Sequence, residues 1–298
     1  MEKYSKINTL YKRYAFKGQD CPNKKWLVMR NKIILGDFSD KVAEFLFDKP
    51  WEAYSKIDGT NCKIAYFPSS GEIQVEGKEE KSADQQGMFA YLTEIGERIK
   101  PMLAELFPKE CAKFTPVKDK DTKKIIYHND LGVVEATQPG MFKVVLEEVP
   151  IYIYGEYFGK GIQKCGKRYL EDSHDFLVFD IKQQGWWTPK EVRDELCDKL
   201  GLEQVPYYGT YTLDEIENIV RMGFPTLYRK ASDPNLLEEG LVCRPTLPLF
   251  SNGNNRIITK VKHCDYLEYD NALKQFTREE FKEFLEWYSE YEKQSKNG

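Results

Sequence analysis

The segment "YSKIDGTN" at residues 54–61 sets Lys56 among apolar and aromatic neighbours and follows it with Asp58-Gly59, a pair suited to a tight turn. An amine at that place is a nucleophile only if it can be held uncharged, and an unperturbed lysine titrates at about 10.4. Desolvation and neighbouring cations lower that value. Later segments offer such neighbours. "YGEYFGKG" places Glu156 at the end of an apolar strand, and "FLVFDI" follows with Phe179. "EEGLVCRP" then opens a strand at Glu239, and "TKVKH" alternates Lys260 and Lys262 onto one strand face. Each feature taken singly has a plain reading: an exposed turn, two strand-end glutamates on the surface, a core phenylalanine. The order in which all five occur is what gives them weight.

These residues need elements to hold them. "WEAYSKI" and "NCKIAYF" read as two strands broken at Asp58-Gly59, with Lys56 where a strand meets a turn, and "EIQVEG" at 72–77 reads as a third. A short helix is expected over 39–47 with Ser39 as its cap, and a longer one over about 84–107, interrupted or kinked near Pro101. Residues 109–130, rich in Lys, Asp and Thr, read as a solvated insertion or an irregular loop. Strands follow at 142–158 and 176–181, then a helix opened by a Thr188/Glu191 capping box and closed by Gly201, and a helix from Thr212/Glu215 to Gly223. Strands at 240–244 and 256–262 complete an α+β pattern. Thr277 and Glu280 begin one terminal helix with Phe281, Phe284, Leu285 and Tyr288 on a common face, ending near Lys293.

Composition bounds the function. The 298 residues are 41 % hydrophobic, with no apolar run near the roughly 18 residues of a membrane span. The start of the chain lacks the apolar stretch of a signal peptide, so a cytoplasmic or nuclear protein is expected. Seven scattered cysteines make no CxxC motif and read as reduced and mostly buried. Three histidines without HxxxH or HExxH spacing argue against a caged zinc. A net charge of -4 excludes a uniformly basic surface and confines any polyanion site to one face.

The five segments, in this order over residues 56–262, resemble the signature of the covalent nucleotidyltransferases, which comprise ATP-dependent DNA ligases, RNA ligases and GTP-dependent mRNA capping enzymes. Asn61 stands where capping enzymes and DNA ligases usually carry arginine, and "KIDGTN" with "YGEYFGKGIQ" is similar to the RNA ligase 2 type. The resemblance implies an α+β nucleotidyltransferase (ATP-grasp-like) adenylation domain of antiparallel sheets flanked by helices over residues 1–265. A short helical extension would follow at 266–298, with no room for an OB-fold. It further implies an ATP-dependent RNA ligase: Lys56 takes AMP from ATP, passes it to an RNA 5'-phosphate, and a 3'-hydroxyl displaces it.

Under that resemblance Lys56, Lys260 and Lys262 are catalytic, and Ile57, Asp58 and Gly59 help to hold the nucleotide. Glu156 binds the ribose hydroxyls, Phe179 stacks on the purine, and Glu239 coordinates Mg²⁺ or Mn²⁺. Asn61 assists sealing, or else caps the turn at Asp58. Lys78 and Lys81 occupy places more often taken by arginine, and with Lys160, Lys164, Lys167 and Arg168 they are the candidate RNA-phosphate contacts. RNA bearing 3'-hydroxyl and 5'-phosphate ends is the expected partner, acting on a monomer. A partner protein or structured RNA would stand in for the absent C-terminal domain, and a phage or viral origin is open. A GTP-dependent capping guanylyltransferase, disfavoured by Asn61, and a non-catalytic RNA-binding module are the competing readings.

Overall fold

The fold follows from two kinds of apolar pattern: strands that bury alternate or successive residues, and helices that bury one stripe. The structure, a computed structural model, describes residues 4–77, 86–128, 143–251 and 255–297. These divide into two compact units, the first built from residues up to Asp58, Arg168–Leu170 and Val205 onward, the second from Gly59–Lys167 and Glu171–Gln204.

The first unit holds a five-stranded sheet in the order Asn8–Thr9, Thr259–Lys262, Gly240–Pro245, Trp51–Ser55, Tyr207–Tyr211. All pairings are antiparallel except that of Asn8–Thr9 with Thr259–Lys262. Its core gathers Trp51, Ala53, Leu241, Cys243 and Val261 from the strands with Leu213, Ile216 and Val220 of the helix Leu213–Met222. Tyr266, Tyr269 and Ala272 of the helix His263–Leu273 join them. The helix Arg278–Asn297 closes the same core. Phe284 is fully buried, its ring 5.0 Å from Tyr14 and 6.0 Å from Trp26.

The second unit holds an antiparallel sheet in the order Trp186–Trp187, His174–Gln183, Ile151–Gly159, Thr60–Phe67, Glu72–Gly77. Ile64, Tyr66, Ile153 and Val178 cluster with Leu92, Ile99 and Leu103 of the helix Gln86–Leu106 and with Leu196 and Leu200 of the helix Lys190–Leu200. The described part of the insertion is exposed or half-buried, yet part of it pairs: Phe114–Pro116 lies against Leu146–Glu148, and Tyr127–His128 against Lys143–Val144.

The two strands broken at Asp58-Gly59 form as expected and pair in different sheets. Trp51–Ser55 pairs with Gly240–Pro245 and Tyr207–Tyr211 in the sheet of the first unit, and Thr60–Phe67 with Ile151–Gly159 and Glu72–Gly77 in that of the second. Several local expectations are corrected. The first helix spans Lys41–Phe45 and is capped by Asp40, whose carboxylate accepts from the Val42 N–H, rather than by Ser39. Pro101 does not interrupt its helix; Ile99 and Leu103, buried on either side of it, outweigh the missing backbone hydrogen bond. The Thr188/Glu191 box does not form, since the Thr188 hydroxyl donates to the Ile181 carbonyl and leaves Pro189 at the cap. The tail holds two helices, and Leu285 is exposed. The helix His263–Leu273 lies within the first unit.

Candidate active site

Three adjacent strands of the first unit set the position of the lysines. Ser55 pairs with Leu241, and one residue on, the Lys56 N–H donates to the Gly240 carbonyl at 3.0 Å. Gly240 in turn pairs with Lys262, and Val242 with Lys260. Lys56 therefore lies one strand from Glu239-Gly240 and two from Lys262. Thr259 and Val261 point into the core while Lys260 and Lys262 share the opposite, half-buried face, as the alternation of "TKVK" requires. Gly240 admits no side chain, because a Cβ there would run into the Val261 carbonyl.

Glu239 is the hub. Its Oε2 pairs with the Lys56 ammonium and its Oε1 with that of Lys262 at 2.9 Å. Burial works against the Lys262 charge, but the bond and charge of Glu239 outweigh it and hold this amine above the usual lysine value. Lys260 is pushed the other way, first by burial and then by repulsion from Lys56 and Lys262. Behind the strand end lies Glu238, only 1 % exposed. Its Oε2 accepts from the Ser55 hydroxyl at 3.2 Å, the Thr226 hydroxyl at 3.0 Å and the Leu227 N–H at 3.2 Å. Burial pushes this carboxyl up to about 7. Tyr169, also buried, accepts from the Asp58 N–H at 3.4 Å, and Ile57 is buried beside them.

Within the second unit the register sets Asn61 directly opposite Glu156, so these two side chains share a face. Gly59 is fixed by the same strand. A Cβ there would lie 2.5 Å from the Tyr157 carbonyl and 2.8 Å from Cγ of Glu156. Phe179 is a bulge: Tyr154 pairs with Asp180 and Gly155 with Val178, leaving Phe179 unmatched and half-buried.

With this geometry in hand, residues 49–262 match the family model for RNA ligases. The chain belongs to the RNA ligase family. No curated protein matches it. Solved structures similar to it include a mutant Naegleria gruberi RNA ligase with ATP and Mn, at 16 % identity and TM-score 0.46, covering 78 % of this chain and 55 % of that one. A second mutant of that ligase with ATP and Mn gives 17 % identity, the same TM-score, and 78 % and 54 % coverage. A third, with AMP and Mn, gives 16 % identity, TM-score 0.46, and 78 % and 55 %. This chain spans about half the length of those it matches.

In this RNA ligase family member the remaining candidates are scattered. Lys160 is paired with Asp172 at 2.9 Å and Arg168 with Asp233 at 2.7 Å, whereas Lys164 and Lys167 are exposed. Lys78 and Lys81 lie outside the described residues. Ser55, Glu238 and Tyr169 escaped the sequence reading. Glu238 left one trace, a second acid beside Glu239, but its burial depends on the segment 226–228, which no short-range pattern brings to it.

A divalent cation has no protein cage here: no cluster of three or more His, Cys, Asp or Glu is suited to one among the described residues. The donor set fits the other mode, in which Mg²⁺ takes one or two carboxylates and fills the remaining positions with water and substrate phosphates. No helix among the described residues is long and apolar enough to cross a membrane.

Proposed function

We propose that this protein is an ATP-dependent RNA ligase working through a lysyl-AMP, with RNA carrying 3'-hydroxyl and 5'-phosphate ends as its substrate. The observation that carries this reading is the Glu239 carboxylate paired with both Lys56 and Lys262 across three adjacent strands, with Lys260 on the same strand face as Lys262. Lys56 Nζ attacks the α-phosphorus of ATP, a P–N bond forms, the bond to pyrophosphate breaks and the amine gives up a proton to solvent. The RNA 5'-phosphate then displaces the amine, and the 3'-hydroxyl finally displaces AMP.

An amine paired with a carboxylate is an ammonium, so the resting cluster must open before attack. Lys262 supplies the means, because Glu239 keeps one charged partner when Lys56 turns to the phosphate. Lys260 and Lys262 neutralise negative charge as it moves onto the leaving pyrophosphate. Glu239 would hold Mg²⁺ or Mn²⁺, which when bound shields the phosphates from one another. By family resemblance Glu156 would take the ribose hydroxyls, Phe179 the purine, and Asn61 a phosphate oxygen in the sealing steps. Ile57, Asp58 and Gly59 would meet the nucleotide through the backbone. Lys164 and Lys167 would take RNA phosphate, a reading supported by their exposure and by their having no ion pair among the described residues.

The test is mass spectrometry of the protein after incubation with Mg²⁺ and either ATP or GTP, with peptide mapping. AMP on the peptide holding Lys56, absent in Lys56→Ala, is expected. Exclusive labelling by GTP would point to a guanylyltransferase. No adduct together with retained RNA binding would point to a binding module.

A further inference from the structure

One residue in the second unit is buried as a cation with no place in the reaction just described. Arg193, on the helix Lys190–Leu200, is only 2 % exposed. A guanidinium at that depth is tolerated only when its donors are bonded, and a leucine would otherwise serve the core better. Its Nε donates to Gln204 Oε1 at 2.9 Å and its Nη2 to Asp194 Oδ1 at 2.9 Å. Its Nη1 donates to the Phe179 carbonyl at 3.1 Å.

That carbonyl belongs to the residue left over by the strand register. A bulged residue loses its place in the ladder and its backbone needs another partner. The segment holding Gln204 also fixes the preceding residue, because the Val178 N–H donates to the Glu203 carbonyl at 2.9 Å. Residues 178 and 179 are thus held from the same side, one by backbone and one by the guanidinium fork. The fork is planar and its bonds diverge at fixed angles, so it sets an orientation as well as a distance.

We propose that Arg193 is a positioning residue for base recognition, its guanidinium pinning the bulge that presents the Phe179 ring. This rests on the reading of Phe179 as the purine platform. Arg193 then governs affinity for the base and leaves the sugar and phosphate contacts alone.

The test compares binding of AMP and of ribose 5-phosphate, by calorimetry or competition, to the full chain and to Phe179→Ala, Arg193→Lys and Arg193→Met. Stacking of one base predicts that Phe179→Ala weakens AMP about tenfold or more and leaves ribose 5-phosphate unchanged. Arg193→Lys keeps the charge beside Asp194 without the fork, and it is expected to weaken AMP about fivefold or more with ribose 5-phosphate again unchanged. The KM for ATP in self-adenylylation rises in parallel while the maximal rate holds. If Phe179→Ala does not affect AMP, the platform reading falls and this proposal with it. If Phe179→Ala weakens AMP and Arg193→Lys does not, or weakens both ligands equally, the platform stands and the role given to Arg193 is refuted. Should neither Arg193 variant fold, as judged by thermal unfolding, Gln204→Leu removes one acceptor that orients the fork and is read by the same comparison.

Discussion

Lys260, proposed above to act in phosphoryl transfer, occupies a position that is poor for stability. It is half-buried beside two other ammoniums, has no ion pair among the described residues, and its amine is pushed below the ordinary lysine value by burial and then by those neighbours. A lysine whose folded value is depressed binds fewer protons folded than unfolded, so its penalty is present at neutral pH. That penalty fades as the pH rises through the lowered value toward about 10.4. Lys260→Met is therefore expected to gain a little stability at pH 7, under about 1 kcal/mol because the side chain is only half-buried. In urea titrations the gain should shrink in the alkaline range, while self-adenylylation falls by about 10² or more. A loss of stability at pH 7 would show that the cation is not destabilising. Asn61 tests the opposite separation. Asn61→Ala should keep the adduct on Lys56 yet seal pre-adenylylated nicked RNA at least about tenfold more slowly; a normal sealing rate would remove the role given to it.

Whether an element was legible depended on how local its cause is. The caps at Thr212/Glu215 and Thr277/Glu280 formed as their spacing requires, because both partners lie within one turn. Thr188/Glu191 has the same spacing and failed, because Ile181, seven residues back, takes the hydroxyl. The strand break after Lys56 was readable from Asp58-Gly59, but not the assignment of the two strands to different sheets, which long-range pairing decides. Likewise "FLVFDI" announces a strand and no more; the bulge at Phe179 exists only in register with Gly155 and Val178. Thr212→Ala should cost about 1 kcal/mol in chemical denaturation and leave self-adenylylation per folded molecule unchanged. Gly240→Ala tests the element that carries Glu239. Its Cβ would press on the Val261 carbonyl of the neighbouring strand, so the pairing that aligns Lys56 with Lys262 must shift. We expect a loss of about 2 kcal/mol or more together with a fall in self-adenylylation of folded protein. A variant that is destabilised but fully active when folded would show that Glu239 tolerates the shift.

At the scale of the whole molecule, the terminal helix decides how the chain is built. Read from the sequence it is an extension, since it follows the last lysine of the site. In the structure it closes the core of the unit that carries Lys56. Phe284 is fully buried among Tyr14, Phe16 and Trp26, and the Tyr288 ring lies 4.8 Å from that of Tyr14, so residues nearly the whole chain apart complete one cluster. Truncating a buried phenylalanine typically costs about 3 to 5 kcal/mol, a large part of the 5 to 15 kcal/mol that holds a domain folded. Leu285 beside it is exposed and should tolerate alanine within about 0.5 kcal/mol. If the helix belongs to the core, Phe284→Ala lowers the unfolding midpoint steeply and Leu285→Ala does not. Self-adenylylation should then be lost with the same midpoint as the fold. If the helix were a dispensable appendage, Phe284→Ala would leave the main unfolding transition in place, and the site would outlast the loss of its tail.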